Sequence, residues 1–232
     1  MIQTFSFSDK GPRTENQDFH CLVVLGDQIL LAVADGVGGN NGGEIASRLA
    51  IDKVLAGFYE GQSLGQCLGS AHSEILSKAA DNPDLQGMAT TLTAVSCSGG
   101  SLNGVHCGDS RAYLLRGQGL KQLTTDHTEV AKLLAEGRIT KEEAIDYPRK
   151  NILTSALGTS KKLIKQEFLF DITAGDMLLL LTDGVYSEIS KREIQQISSA
   201  EPDLGDFCRR ILKMVAERGT SDNYTIVGVQ FS

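Results

Sequence analysis

No pair of cysteines in this chain has C-x-x-C spacing, and the five present (Cys21, Cys67, Cys97, Cys107, Cys208) make an odd number. That excludes a disulfide framework or a thiolate zinc site as the organising device, and reduced, mostly buried thiols are expected. Long apolar runs are also missing. None approaches the ~18 residues that span a bilayer, and the polar stretch Met1 to Asp18 has no signal-peptide hydrophobic region. A protein away from the membrane, in the cytoplasm, is the expectation. Basic charge is scarce: the net charge is −7 and no Lys/Arg cluster offsets that balance, which argues against nucleic acid as a main partner.

Several catalytic templates are absent too. There is no G-x-x-x-x-G-K-[ST], so the chain is not a P-loop protein. Gly36-Val37-Gly38-Gly39-Asn40-Asn41 begins like a dinucleotide fingerprint but lacks its third glycine and follows an aspartate. No G-x-S-x-G elbow occurs. Asp35-Gly36-Val37 and Asp183-Gly184-Val185 lack the second aspartate that an aspartyl-phosphate mechanism usually wants. The four histidines, His20, His72, His106 and His127, show no ligand spacing and read as structural.

What is present suits one globular domain, 1–232, with no linker: 41% hydrophobic and 22% charged residues are enough for a sizeable core without wholesale disorder. Strand-like runs at Gln3–Ser8, Phe19–Leu25 and Gln28–Ala34 come first. Two helical stripes follow, Ile51/Val54/Leu55/Phe58 and Leu64/Cys67/Leu68/Ala71/Ile75. Further strands are expected at Thr90–Ser96, Leu102–Cys107, Ala112–Arg116, Leu163–Phe170, Met177–Thr182 and Tyr224–Phe231, with a helix over Leu204–Val215. Between Asp126 and Thr159 the pattern breaks into short helical pieces, one opened by a capping-box pattern at Thr140 and Glu143, and it reads as a mobile excursion. Strands and helices do not alternate one by one, so mainly antiparallel sheets covered by helices fit better than a doubly wound order.

Two of the apolar runs end alike. Ile29–Ala34 runs into Asp35-Gly36, and Met177–Thr182 runs into Asp183-Gly184. A carboxylate at the end of a buried strand is held rigidly, and a glycine behind it admits close approach. Asp18, Asp109 and Asp222 also sit in Gly-, Asn- or Ser-containing turns at strand boundaries. A single turn aspartate usually only caps backbone. Five of them, two behind hydrophobic strands, suggest an oxygen-only site for Mg²⁺ or Mn²⁺. Two such ions ~3.5–4 Å apart can share a carboxylate and bring water toward a pKa of ~7. Arg13, in Gly11-Pro12-Arg13-Thr14-Glu15-Asn16-Gln17-Asp18, could hold two phosphate oxygens beside such a site.

These residues resemble the metal-dependent serine/threonine protein phosphatases of the PP2C (PPM) family, in the short bacterial single-domain form. The matching pieces occur in order along nearly the whole chain: Gly11-x-Arg13-x-x-Asn16-Gln17-Asp18, Ala34-Asp35-Gly36-Val37-Gly38-Gly39, Gly87-Met88-Ala89-Thr90-Thr91, Cys107-Gly108-Asp109-Ser110-Arg111, Thr125-Asp126-His127, Asn151-Ile152-Leu153-Thr154-x-Ala156-Leu157-Gly158, Leu181-Thr182-Asp183-Gly184 and Ser221-Asp222-Asn223. Each piece is weak alone; the ordered set is specific.

The resemblance implies an α+β fold, a four-layer α-β-β-α sandwich with two central, mainly antiparallel sheets. It implies two Mn²⁺ or Mg²⁺ ions, with Asp35 bridging both and the Gly36 carbonyl on one of them. Asp183 and Asp222 would bind the other, and Asp18 would be a ligand or hold a water. Asp109, with Asp183, would take a third, weaker ion. Arg13 would hold the substrate phosphate, and 126–159 would be a flap that helps select substrates. Phosphorylated proteins, a Ser/Thr kinase among them, would be the partners of a monomer. Two departures stand out. Gln17 replaces the glutamate common in animal members, so water is expected to fill its place at the metal. Val37 replaces their histidine, proposed as general acid, so leaving-group protonation would come from a metal-bound water or from the third ion's water near Asp109. A non-catalytic phosphoprotein binder and a hydrolase of small phosphate esters are the rival readings.

Overall fold

The computed structural model describes residues 2–37 and 42–232. The Gly38–Asn41 part of the glycine-rich stretch lies outside the described residues. In chain order the strands and helices are β1 (Gln3–Asp9), β2 (Asp18–Leu25), β3 (Gln28–Val37), α1 (Gly43–Tyr59), α2 (Leu64–Asp81), β4 (Ala89–Thr90), β5 (Leu92–Ser98), β6 (Ser101–Cys107), β7 (Arg111–Arg116), β8 (Gly119–Gln122), α3 (Glu129–Ala135), α4 (Lys141–Ile145), β9 (Gln166–Asp171), β10 (Met177–Leu181), α5 (Asp183–Tyr186), α6 (Lys191–Ala200), α7 (Leu204–Arg218) and β11 (Tyr224–Gln230).

The strands form two sheets. One has the order β1-β11-β10-β7-β8; the other has β2-β3-β5-β6-β9, with β4 paired to the end of β3. All of these pairings are antiparallel. The period-2 alternation of a strand decides what each face meets. Along β3, Leu30, Ala32 and Ala34 pack under α1 and α2, while Ile29, Leu31 and Val33 point into the space between the sheets. Along β10, Leu179 and Leu181 pack under α6 and α7, while Leu178 and Leu180 point into the same central space. Because β3 and β10 are apolar on both faces, they read as continuous hydrophobic runs. Four layers, α-β-β-α, follow directly.

The helical stripes behave as their spacing requires. Leu64, Cys67, Leu68, Ala71 and Ile75 are all buried along α2, which opens with a capping box between Ser63 and Gln66. In α1 the stripe is anchored by buried Ile51 and Val54. The α7 stripe buries Leu204, Phe207, Cys208, Ile211 and Val215. Burying a side chain of this kind contributes roughly 1.5–3 kcal/mol, so these faces fix the outer layers on the sheets.

Three local readings need correction. The run Leu163–Phe170 is a strand only from Gln166, and it extends to Asp171. The strand ending at Ala34 continues through Asp35-Gly36 to Val37, because β4 supplies partners for Gly36 and Val37. Asp183-Gly184 is the first turn of α5 rather than a plain turn. A glycine in a four-residue helix is disfavoured locally. Tertiary contact selects it here: a Cβ on Gly184 would lie 2.0 Å from the Asn223 carbonyl oxygen.

Candidate active site

The carboxylates meet at one end of the sandwich, where the two sheets come together. Asp18 opens β2 and is the register partner of Asp35 on β3. By parity Asp35 follows Ile29, Leu31 and Val33 onto the inner face of its sheet. From the opposite sheet, Asp183 follows β10 directly, and Asp222 stands just before β11. Asp109 lies in the short β6–β7 connection, behind Gly108, whose φ of 113° has the hand that glycine tolerates.

Asp18 joins the two sheets. Its Oδ2 accepts from the hydroxyls of Thr182 (2.8 Å), at the end of β10, and Thr225 (2.7 Å), in β11. These threonines are in turn clamped to each other, the Thr225 N–H donating to Thr182 Oγ1 at 2.9 Å. The other carboxylate oxygen, Asp18 Oδ1, is buried and has no hydrogen-bond partner. Burial pushes the Asp18 carboxyl up to about 7; the two hydroxyls oppose this, and the charges of Asp183 and Asp222 add to it.

Asp35 is held through its backbone. Its N–H donates to Thr91 Oγ1 (2.9 Å), and its carbonyl accepts from Thr91 N–H (2.9 Å) and Thr90 Oγ1 (2.9 Å). The strand at this point therefore cannot shift without breaking three bonds. Desolvation, then the charges of Asp18, Asp183, Asp109 and Asp222, hold the Asp35 carboxyl well above the usual carboxylate range. Gly36 is packed so closely on Gly43 that a Cβ would meet its carbonyl oxygen at 2.3 Å.

Asp109 is raised to about 7 by burial and by the charges of Asp183 and Asp126, against a hydrogen bond from Tyr186 and the charge of Arg111. Arg111 forms a fork on Asp126, with Nε 3.1 Å from each oxygen and Nη2 at 2.7 Å from Oδ2, and lies 3.7 Å over the Tyr186 ring. Asp183 rises to about 6 through burial and Asp222, against the Gly184 N–H and the charges of Arg13 and Arg111.

Arg13 reaches the same place from the β1–β2 loop. Its Nη2 contacts Asp222 Oδ2 at 2.7 Å and its Nε donates to the Ser221 carbonyl at 2.9 Å. Asn223 pins that loop: its Nδ2 donates to the Lys10 and Glu15 carbonyls, and its Oδ1 accepts from Gln17 N–H. Arg13 and Asp222 are both partly exposed, so the pair itself adds little stability.

Sequence reasoning missed Thr182 and Thr225 as site residues, although each closes or lies in a strand run that it had placed. It also left Tyr186 unremarked; an aromatic three positions after Asp183, one helical turn on, was the available signal.

Among the described residues, no group of three or more His, Cys, Asp or Glu side chains is gathered as a ready-made metal chelate. The residues nevertheless fit a hard divalent cation. One buried carboxylate oxygen has no partner, and four carboxyls are pushed toward protonation by burial and, in the main, by one another's charge, more than nearby Arg13 and Arg111 compensate. All the donors are oxygen, the set that Mg²⁺ and Mn²⁺ prefer.

The layering and the seam of carboxylates match what the resemblance to the metal-dependent protein phosphatases implies, and the family comparison decides the class. The family model for protein phosphatase 2C matches residues 13–224, and the chain belongs to that family. The serine/threonine protein phosphatase PstP of Mycobacterium tuberculosis is 37% identical over 228 residues, covering 95% of this chain and 43% of PstP, so the chain spans less than half of that relative. The serine/threonine phosphatase stp of Listeria monocytogenes is 32% identical over 232 residues, covering 96% and 89%. Among solved structures, the S. agalactiae serine/threonine phosphatase superposes with a TM-score of 0.89 at 27% identity, covering each chain entirely. The catalytic domain of PstP in complex with two manganese ions gives 0.85 at 34% identity, covering 99% of this chain and 97% of that one. No helix among the described residues is long and apolar enough to cross a membrane.

Proposed function

We propose that this chain is a Mn²⁺- or Mg²⁺-dependent phosphatase that hydrolyses phosphoserine and phosphothreonine in proteins and opposes Ser/Thr kinases. The observation that carries the reading is the seam itself: buried and half-buried carboxylates from both sheets, one oxygen unpartnered, with an arginine at the rim. Asp35, Asp183 and Asp222, the Gly36 carbonyl and Asp18 would hold two ions, and Asp109 with Asp183 a weaker third. When bound, the ions supply the Lewis acidity that makes water nucleophilic at neutral pH and offsets phosphoryl charge.

The chain's own residues do the rest. Arg13, already oriented by the Ser221 carbonyl, turns its guanidinium from Asp222 to the incoming phosphate and spreads charge developing on it. Thr182 and Thr225 fix Asp18, and Thr90 and Thr91 fix Asp35, so the carboxylates need no reorganisation. Val37 carries no proton to give, and the leaving alkoxide takes its proton from solvent near Asp109. The chain acts as one domain, 1–232, a cytoplasmic monomer, with 126–159 as the flap beside the site.

The test is turnover of a phosphothreonine peptide, p-nitrophenyl phosphate and a nucleotide with Mn²⁺, then with excess EDTA. Peptide hydrolysis that EDTA abolishes and Mn²⁺ restores supports the proposal. Activity surviving exhaustive chelation rejects the metal mechanism. Turnover of the nucleotide alone makes it a small-ester hydrolase, and no turnover of any substrate leaves a phosphoprotein binder.

A further inference from the structure

The acidic balance of the chain hides a local reversal. Between Tyr147 and Lys165 the sequence holds five cations (Arg149, Lys150, Lys161, Lys162, Lys165) and no carboxylate, in a chain of net charge −7. Arg149 is spent on Glu129 at 2.8 Å, and Lys165 on Glu167 at 2.6 Å. Among the described residues, Lys150, Lys161 and Lys162 have no carboxylate partner. The residues outside that description include no acidic side chain that could serve as one.

Lys161 stands on the wall of a groove of about 310 Å³. The groove begins beside the carboxylate site, at Val37, two residues beyond Asp35, and at Ala89, the register partner of Val37. Leu153, within the 126–159 segment and bridged to Thr128, also lines it. The groove joins an apolar wall (Val37, Ala89, Leu153, Ala156) to polar side chains (Asn151, Thr154, Ser155, Thr159), and exposed, unpaired Lys161 is its one charged lining residue. Its size is at the small end of ligand pockets, enough for side chains of an extended peptide rather than for a globular surface.

On the phosphatase reading above, the peptide chain that brings a phosphorylated residue to the site must leave along a surface of this kind. We infer that the Val37–Lys161 groove binds the substrate segment flanking the phosphorylated residue and selects for an acidic side chain there, paired with Lys161. An aliphatic stem, such as that of glutamate, lies on Val37, Ala89 and Leu153 while its carboxylate reaches the ammonium. An exposed pair of this kind acts on encounter rate and orientation, so its effect is modest and salt-sensitive.

Three phosphothreonine peptides identical except for Glu, Ala or Lys at the flanking positions on both sides test this with the Mn²⁺-loaded enzyme. The expected order of kcat/KM is Glu, then Ala, then Lys. The Glu/Lys ratio should be roughly tenfold at low salt, shrinking several-fold at high salt. Lys161→Arg should keep that ratio and Lys161→Glu should collapse or invert it. Lys161 is exposed, so both variants fold, and their melting temperatures check this. Equal kcat/KM on the three peptides, or a Glu/Lys ratio that Lys161→Glu leaves intact, overturns the inference. A ratio lost in Lys150→Glu but kept in Lys161→Glu overturns it equally, by moving selection to the other side of the site. Failure to hydrolyse any peptide rejects the phosphatase reading instead.

Discussion

Stripped of metal, this protein should become less stable as pH rises through neutrality. Asp109 shows the size of the effect. Its carboxyl, ordinarily at 3.8, is raised to about 7 in the fold. A raised carboxyl means that the folded state holds a proton the unfolded chain has lost. Its contribution is therefore fully present below the unfolded value and disappears as pH rises through about 7. The whole interval is worth roughly 4 kcal/mol, at about 1.4 kcal/mol per pH unit. Between about pH 6 and about pH 8 Asp109 alone costs about 1.4 kcal/mol, or roughly 3–6 °C in Tm for a chain of this size. Asp18, Asp35 and Asp183 shift in the same direction. His106 works the other way: burial and its neighbour His127 lower it to about 3, so its contribution is present above 6.5 and is lost in acid. Its window reaches up through its unfolded value of 6.5, so between about pH 6 and about pH 8 it offsets about 0.8 kcal/mol of the loss. The lowered His20, His72 and His127 act in the same direction; the net fall rests on the four raised carboxyls together. Thermal melts of EDTA-treated protein across this range, with and without saturating Mn²⁺, make the measurement. Mn²⁺ should flatten the slope, and calorimetry in buffers of different ionisation enthalpy should show proton release on binding. A metal-free Tm equal or higher near pH 8 than near pH 6, or Mn²⁺ uptake without proton release, refutes the reasoning.

Asp35→Asn should lower phosphatase turnover at saturating Mn²⁺ by at least about 100-fold, more than any other single ligand change, because the proposed bridge is unique to it; a smaller loss than in Asp222→Asn would contradict that role. Arg13→Ala should raise KM for a phosphopeptide roughly tenfold or more while Mn²⁺ affinity, read by calorimetry, stays nearly constant. Gly184→Ala should cripple both folding and metal binding, since the new Cβ would lie 2.0 Å from the Asn223 carbonyl oxygen; normal Mn²⁺ titration of this variant would show that α5 can retreat. Asp176→Ala removes a buried carboxylate that receives Arg116 Nε at 2.9 Å and Thr173 N–H at 2.8 Å, far from the carboxylate seam. It should cost about 1–3 kcal/mol in urea unfolding and leave kcat/KM unchanged.

Most of the fold was legible because it rests on local periodicity. The double-sided apolar runs at 29–34 and 177–181, and the stripes at 64–75 and 204–215, report burial residue by residue. Where the reading fell short, distant residues decide. Helix α6 was not placed individually, though Ser190 and Glu193 form a capping box and Ile194 and Ile197 its buried stripe. Alpha-helical Asp183-Gly184 depends on Asn223, some forty positions away. The acidic set was legible as a list, since each member sits at a strand boundary. Its assembly was not: Arg13 meets Asp222 across 209 positions, and Thr225 meets Asp18 across 207. No periodicity encodes such pairs.

The hydroxyl clamp on Asp18 has a consequence for how the protein is made. Asp18 belongs to one sheet, and Thr182 and Thr225 to the end of a strand and a strand of the other. Neither half of the sandwich, however well formed, owns the site. A partly folded chain with intact hairpins but undocked sheets has the acidic residues and no place for an ion. Divalent cation uptake is then a report on completed tertiary docking rather than on secondary structure. On the proposed function, ions would bind only the docked state, so their concentration would bear on the non-local docking of the two sheets. On that same reading, a cell short of Mn²⁺ would hold not merely an idle phosphatase but a larger pool of chains in which the two sheets have yet to close.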